Sequence, residues 1–282
     1  MSKPNLATQA LIMAMTATLL PMVSTAQEAA EAAPKRALKL VAIGDSITQG
    51  GWSNYPEGVG TYEYSYRYPL WKNFVDAEWE VEMVGTVKQG FVKHPEYADY
   101  KGKKFDNSNE GYWGWPLMNP GKEESSIKHK IEQNLKGGKF DVAILEAGWN
   151  DLNQLKKKDE FPNEAAYNAA CAEEIARRAK TVIELLQSIN ENAAIYYSAL
   201  PATWEPQTSV NAALKKMIGE LPEAKAPVVF VDMPAAWVNK PDEPNTCTYD
   251  WVHTNERGDK MLADAYFGAM KPFVEAFYKK QE

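Results

Sequence analysis

Two cysteines and three histidines are all that this 282-residue chain holds of either type. A single pair of thiols is no disulfide framework, which excludes a small fold stapled by bridges, and nothing in the spacing brings Cys171 and Cys247 together. The scarce histidines and cysteines form no cluster at metal-ligand spacing, so neither a metal nor another cofactor is expected. Basic charge is in deficit too, with 31 Lys and Arg against 38 Asp and Glu and a net charge of −7. Without a basic stripe, nucleic acid is not an expected partner, and the short LKKK at Leu155 to Lys158 reads as a solvated loop. Long apolar runs are also missing, apart from Ala10–Val23, which is too short to span a bilayer comfortably. No stable membrane insertion is expected.

That run has its own logic. Lys3 precedes it, Pro21 lies near its end, and Ser24 and Ala26 place small residues three and one before Gln27. This layout is that of a secretory signal peptide over residues 1–26, with a short N-terminal anchor as the alternative. Residues 27–37 then read as a flexible leader and residues 38–282 as one domain with an ample core. The expected location is outside the cytoplasm, periplasmic or extracellular.

Within the domain, short β-branched runs alternate with longer amphipathic ones. Leu38–Gly44, Val81–Thr86, Asp141–Gly148, Ala194–Pro201 and Val228–Met233 have the length and apolarity of strands buried on both faces. Helical patterns cover Pro69–Glu78, Glu124–Leu135, Asn163–Asn190, Val210–Leu221 and Arg257–Lys279. This alternation predicts parallel strands with helices on both faces. Val87–Asn119 lacks periodicity and reads as a long ordered loop. In open sheets of this kind ligands gather beyond the carboxyl ends of the strands, so reactive residues should follow strands directly.

Ser46 does so, in GDSITQG at Gly44–Gly50. Two readings of it are open. The hydroxyl caps the next helix, or it is a nucleophile, which needs a base beside it. The spacing fits neither a Gly-x-Ser-x-Gly elbow nor a phosphate-binding loop. Asn150, in EAGWND at Glu146–Asp151, follows the third strand and either offers an N–H to an oxyanion or caps a turn. Of the histidines, His129 should face solvent and His94 sits in a polar loop before a proline. His253 lies three residues after Asp250, a spacing that lets the carboxylate reach Nδ1–H on a tight turn and leave Nε2 open to a proton. The plain alternative is a packing histidine beside a loop aspartate.

In chain order, GDSITQG, a glycine of EGYWGW at Glu110–Trp115, GWND at Gly148–Asp151 and DWVH at Asp250–His253 resemble the four blocks of the SGNH (GDSL-type) hydrolase family. The resemblance covers the chain from the first strand to the last helix. It implies a flavodoxin-like, three-layer α/β/α fold around a five-stranded parallel sheet. It further implies Ser46 as nucleophile, His253 as general base, Asp250 as its orienting acid, and an oxyanion hole from the Ser46 and Gly114 N–H groups and the Asn150 amide. Two glycines compete in the second block, and carbohydrate-esterase members, whose block resembles E-G-x-x-G-W, favour Gly114 over Gly111. Trp113 stands where a small residue is commoner and Thr254 where proline is. Asp45 is read as structural, holding the turn.

The family includes lipases, thioesterases and carbohydrate acetylesterases, so the substrate must be argued separately. Trp52, Trp113, Trp115, Trp149 and Trp251 lie in or beside the blocks, and Tyr62, Tyr64, Tyr66 and Tyr68 alternate after the first. Flat rings with polar edges suit sugars, although several must be core. Trp52, Trp113, Trp149 and Trp251 are the candidate substrate-binding residues. The expected activity is hydrolysis of small O-acyl esters, acetyl above all, on carbohydrates. A lysophospholipase or thioesterase is the second reading and a non-catalytic carbohydrate-binding relative the third.

Overall fold

The computed structural model describes residues 36–51, 64–91, 96–155 and 157–281. The signal peptide, nearly all of the leader, Trp52, Tyr62 and His94 lie outside them. Six strands form one sheet: β1 (Leu38–Gly44), β2 (Val81–Val84), β3 (Glu110–Gly111), β4 (Val142–Glu146), β5 (Ala194–Ser198) and β6 (Val228–Val231). The five longer strands run in the order β2-β1-β4-β5-β6, all parallel, as in flavodoxin-like sheets. The two-residue β3, inside the stretch expected to be a long ordered loop, pairs with the end of β1 through Ile43↔Glu110 and Gly44↔Gly111. That pairing brings the first and second motif blocks side by side.

Strands β1, β4 and β5 read as continuous apolar runs because alternate residues enter two cores. Val41, Ile43, Ala143, Leu145, Ile195 and Tyr197 pack into one. Leu38, Leu40, Ala42, Val142, Ile144, Ala194 and Tyr196 pack into the other. The first face is covered by α3 (Ile127–Asn134), α5 (Glu164–Ile189) and α6 (Gln207–Gly219). The second is covered by α2 (Arg67–Asp76) and α7 (Glu256–Lys279), through Leu70, Phe74, Leu262, Tyr266, Met270 and Val274. Each such side chain, fully buried, contributes about 1.5–3 kcal/mol. Two short helices, α1 (Ser46–Gln49) and α4 (Trp149–Leu152), begin just beyond β1 and β4.

The first strand has the expected bounds, while the other four end two or three residues early, where the chain turns into its loops. Helix α6 starts at Gln207 rather than Val210, because a polar turn after Pro206 precedes the first apolar residue. The cysteines are both buried and free, Cys171 in one core and Cys247 in the other, so the sheet separates them. His129 is half-buried rather than solvent-facing.

Candidate active site

The Ser46 hydroxyl lies 3.0 Å from His253 Nε2, and His253 Nδ1 lies 2.7 Å from Asp250 Oδ2. Ser46 opens α1, where Asp45 Oδ1 accepts from Ile47 N–H at 3.1 Å; Asp45 is therefore the cap and the Ser46 side chain is released from that duty. On the opposite loop, Asp250 Oδ1 accepts from the N–H groups of Val252 (3.2 Å) and His253 (2.7 Å). Tyr249 N–H closes the turn on His253 C=O at 2.8 Å. The bend requires Trp251 at φ 74°, a left-handed conformation that costs a tryptophan about 1–3 kcal/mol. Asn239 Nδ2 holds it by donating to Trp251 C=O at 3.1 Å. Partial burial pushes the Asp250 carboxyl up, but the His253 ring and the two N–H groups pull it further down, below its ordinary range.

Three potential oxyanion donors face the same region. No described residue accepts from Ser46 N–H or Gly114 N–H. Gly114 has φ +72° and open space around it, and it lines a cavity of about 440 Å³ together with Ser46, Asn150 and His253. Gly111 does not line that cavity; a Cβ on it would lie 2.6 Å from Gln49 N, so its role is close approach of β3 to α1. The turn carrying Gly114 is pinned by Trp113 N–H donating to Gln49 Oε1 at 2.8 Å.

The Asn150 amide donates to Asp45 Oδ2 at 3.1 Å, which fixes its orientation. Burial raises the Asp45 carboxyl to about 6, against the Ile47 N–H and the His253 ring. Beneath it Glu146, fully buried, is pushed well above its ordinary range by burial and then by the Asp45 charge. The neighbouring Asp151 ties the α4 loop down. It accepts from Leu117 N–H (2.8 Å) and from Arg178 of α5 (2.9 Å), both side chains being buried. Sequence reasoning placed Asp45 in the turn but missed its bond to Asn150 and the Asp151–Arg178 pair.

Of the aromatic candidates, Trp113 and Trp149 line the cavity, whereas Trp251 does not. Trp251 is exposed at the surface, edge-on to Trp204, which in turn lies 6.0 Å from Trp149. Trp52 falls outside the described residues. The three described tyrosines after the first block pack elsewhere: Tyr66 packs on Tyr266, and Tyr64 and Tyr68 join Tyr97 in a ring cluster. Tyr167, Pro206 and Gln207 line the cavity and carry no motif that would mark them.

No curated protein sequence matches the chain. Among solved structures it is similar to a carbohydrate esterase family 3 from Talaromyces cellulolyticus, at 21% identity and TM-score 0.59, over 85% of this chain and 99% of that one. It is also similar to a Clostridium thermocellum family 3 carbohydrate esterase, at 20% identity and TM-score 0.58, over 86% and 100%. An acetyl xylan esterase, AlAXEase, aligns at 17% identity and TM-score 0.51, over 82% and 99%. These likenesses establish a shared fold. The GDSL-like Lipase/Acylhydrolase model matches residues 40–266, and the chain belongs to that family, a carboxylic ester hydrolase of SGNH fold.

Proposed function

We propose that the protein is an exported serine esterase that removes small O-acyl groups, chiefly acetyl, from carbohydrates. The observation that carries this reading is the line from Asp250 through His253 to Ser46 Oγ, with Ser46, Gly114 and Asn150 lining one cavity. Ser46 Oγ attacks the acyl carbon as its proton passes to His253 Nε2, and the C=O π pair moves onto oxygen. That oxyanion is held by Ser46 N–H, Gly114 N–H and the Asn150 amide, each typically worth a few kcal/mol. Asp250 keeps the imidazole in the tautomer with Nδ1–H and stabilises the imidazolium. Collapse expels the sugar alkoxide, which takes the proton from Nε2. Water, deprotonated by His253, then attacks the acyl-enzyme and releases the acid and free Ser46.

The carbohydrate acetyl class is supported by the aromatic walls of the cavity and by fold relatives named as carbohydrate and acetyl xylan esterases. Export is supported by the Lys3, apolar-run and Ser24-x-Ala26 layout, and predicts a mature chain beginning at Gln27. The test is acetate release from a panel of acetylated polysaccharides by the wild type and by Ser46→Ala. Substantial turnover by the folded variant, or no release from any acetylated sugar, would refute the reading.

A further inference from the structure

Among the described residues two large apolar side chains are exposed, Phe91 at 45% and Trp251 at 47%. Both connect, ring by ring, to the wall of the cavity that holds Ser46 and His253. Phe91 stacks on Trp113 with centroids 4.7 Å apart, and Trp113 lines the cavity. Trp251 meets Trp204 edge-on at 6.1 Å, Trp204 lies 6.0 Å from Trp149, and Trp149 lines the cavity too. A lone apolar residue on a surface needs no explanation, but two that converge on one cavity do.

The backbone at Trp251 adds a second reason. Its φ of 74° is one that glycine adopts freely and tryptophan does not. A core ring would offset that strain by packing, yet this one leaves nearly half of its surface to solvent. The turn is also held firmly. Asn239, 2% exposed, donates from Nδ2 to Trp251 C=O at 3.1 Å and to Pro201 C=O at 2.6 Å, tying it to the segment that leads to Trp204.

The two exposed rings reach the cavity through different residues, and its lining includes the amides of Asn150 and Asn153. A layer of acyl chains would bury those amides without bonds. A chain of sugars offers C–H faces to the rings and hydroxyls to the amides. We infer that Phe91 and Trp251 are stacking subsites for sugars neighbouring the acylated one, so that the favoured substrate is a residue within a polysaccharide chain rather than a free sugar ester. This inference rests on the esterase reading of the cavity. It goes further by making chain length a determinant of rate and by assigning that role to two residues outside the cavity.

The experiment measures acetate release from O-acetylated xylo-, manno- and cello-oligosaccharides of one to six rings. In at least one series kcat/KM of the wild type should rise about tenfold or more from one ring to six, since each stacking contact is worth roughly two- to twelvefold. Trp251→Gly, which suits the backbone and removes the ring, and Phe91→Ala should each lower the six-ring to one-ring ratio about threefold or more. Should Trp251→Gly not fold, Trp251→Asn takes its place, because asparagine also tolerates this φ. A merely disturbed turn would slow every length in parallel, because Asp250 and His253 serve all of them; that result overturns the inference. Either variant that keeps the wild-type ratio overturns the assignment of its residue. A wild type whose rate is flat with length in every series overturns the inference and leaves the esterase reading standing. Release of acetate from no member of any series brings down both. Faster cleavage of tributyrin in emulsion than in solution, lost in both variants, would give the rings to a lipid surface instead.

Discussion

The indole of Trp113 lies flat on the imidazole of His253, with ring centroids 4.6 Å apart and planes 13° from parallel. Trp113 also stacks on Phe91, centroids 4.7 Å apart. Such pairs are worth about 0.5–1.5 kcal/mol, and an aromatic face favours the imidazolium that forms as Ser46 loses its proton. Trp113→Leu should therefore lower kcat up to about tenfold with little change in KM or melting temperature. An unchanged kcat would reduce Trp113 to a wall of the cavity.

The Asp250 carboxylate holds both the ring and the backbone of His253, so its loss should be felt in chemistry. Asp250→Asn should cut kcat by about 10³–10⁴ by favouring the wrong tautomer. Near-normal turnover of the folded variant would mean that another group orients the imidazole.

Asp45 links protonation to the oxyanion donor. Its carboxyl is raised by burial from 3.8 to about 6, so below that pH it gains a proton and stops being an anionic acceptor for Asn150. Activity should fall on the acid side as Asp45 takes up its proton, because the neutral carboxyl orients the Asn150 amide less firmly. For stability the sign is opposite. The native state binds this proton more tightly than the unfolded chain, so the contribution is present below about 4 and lost as pH rises to about 6. Asp45→Asn should remove that slope from unfolding curves and make the acid limb of kcat/KM shallower. An acid limb left unchanged by Asp45→Asn would separate Asp45 from catalysis.

The legibility of the chain in its sequence follows from what is local. Leu38–Gly44 announces itself because both faces are buried, and Asp250 and His253 meet because three residues span one turn. Gly114 needed the family likeness, since a sequence pattern does not distinguish it from Gly111; the structure separates them by φ and by the close approach of Gln49. Gln207 and Arg178 were invisible. Their meaning depends on α6 and α5 placing them against loops that lie far away in sequence, which no periodicity encodes. Tyr66 misled because an alternating aromatic run looks alike on a sugar platform and in a core.

Arg178 offers a stability test. Burial raises the Asp151 carboxyl to about 6, against the pull of the Leu117 N–H and Arg178. Arg178→Met would leave that carboxylate uncompensated and should destabilise the fold by about 3–5 kcal/mol in urea unfolding, more at pH 8 than at pH 5. The double variant with Asp151→Leu should recover part of the loss. A single variant within 1 kcal/mol of wild type, roughly the scatter of surface substitutions, would show the pair to be incidental.

Acyl-chain preference separates the carbohydrate reading from a lipase-like one. Each methylene that finds an apolar wall adds about 0.8 kcal/mol, roughly fourfold in kcat/KM, so a lipase-like site climbs steeply from acetate to octanoate. The cavity here is mixed: Leu152, Pro206 and Val252 share its lining with Asn150, Asn153 and Gln207. A lengthening chain would bury those amides without bonds, and each such burial opposes the gain from its methylenes. The expected profile is a maximum at acetate and a clear fall by butyrate, measured with esters of one common alcohol. An optimum at octanoate would reject the carbohydrate acetylesterase reading and put a lysophospholipase or thioesterase in its place.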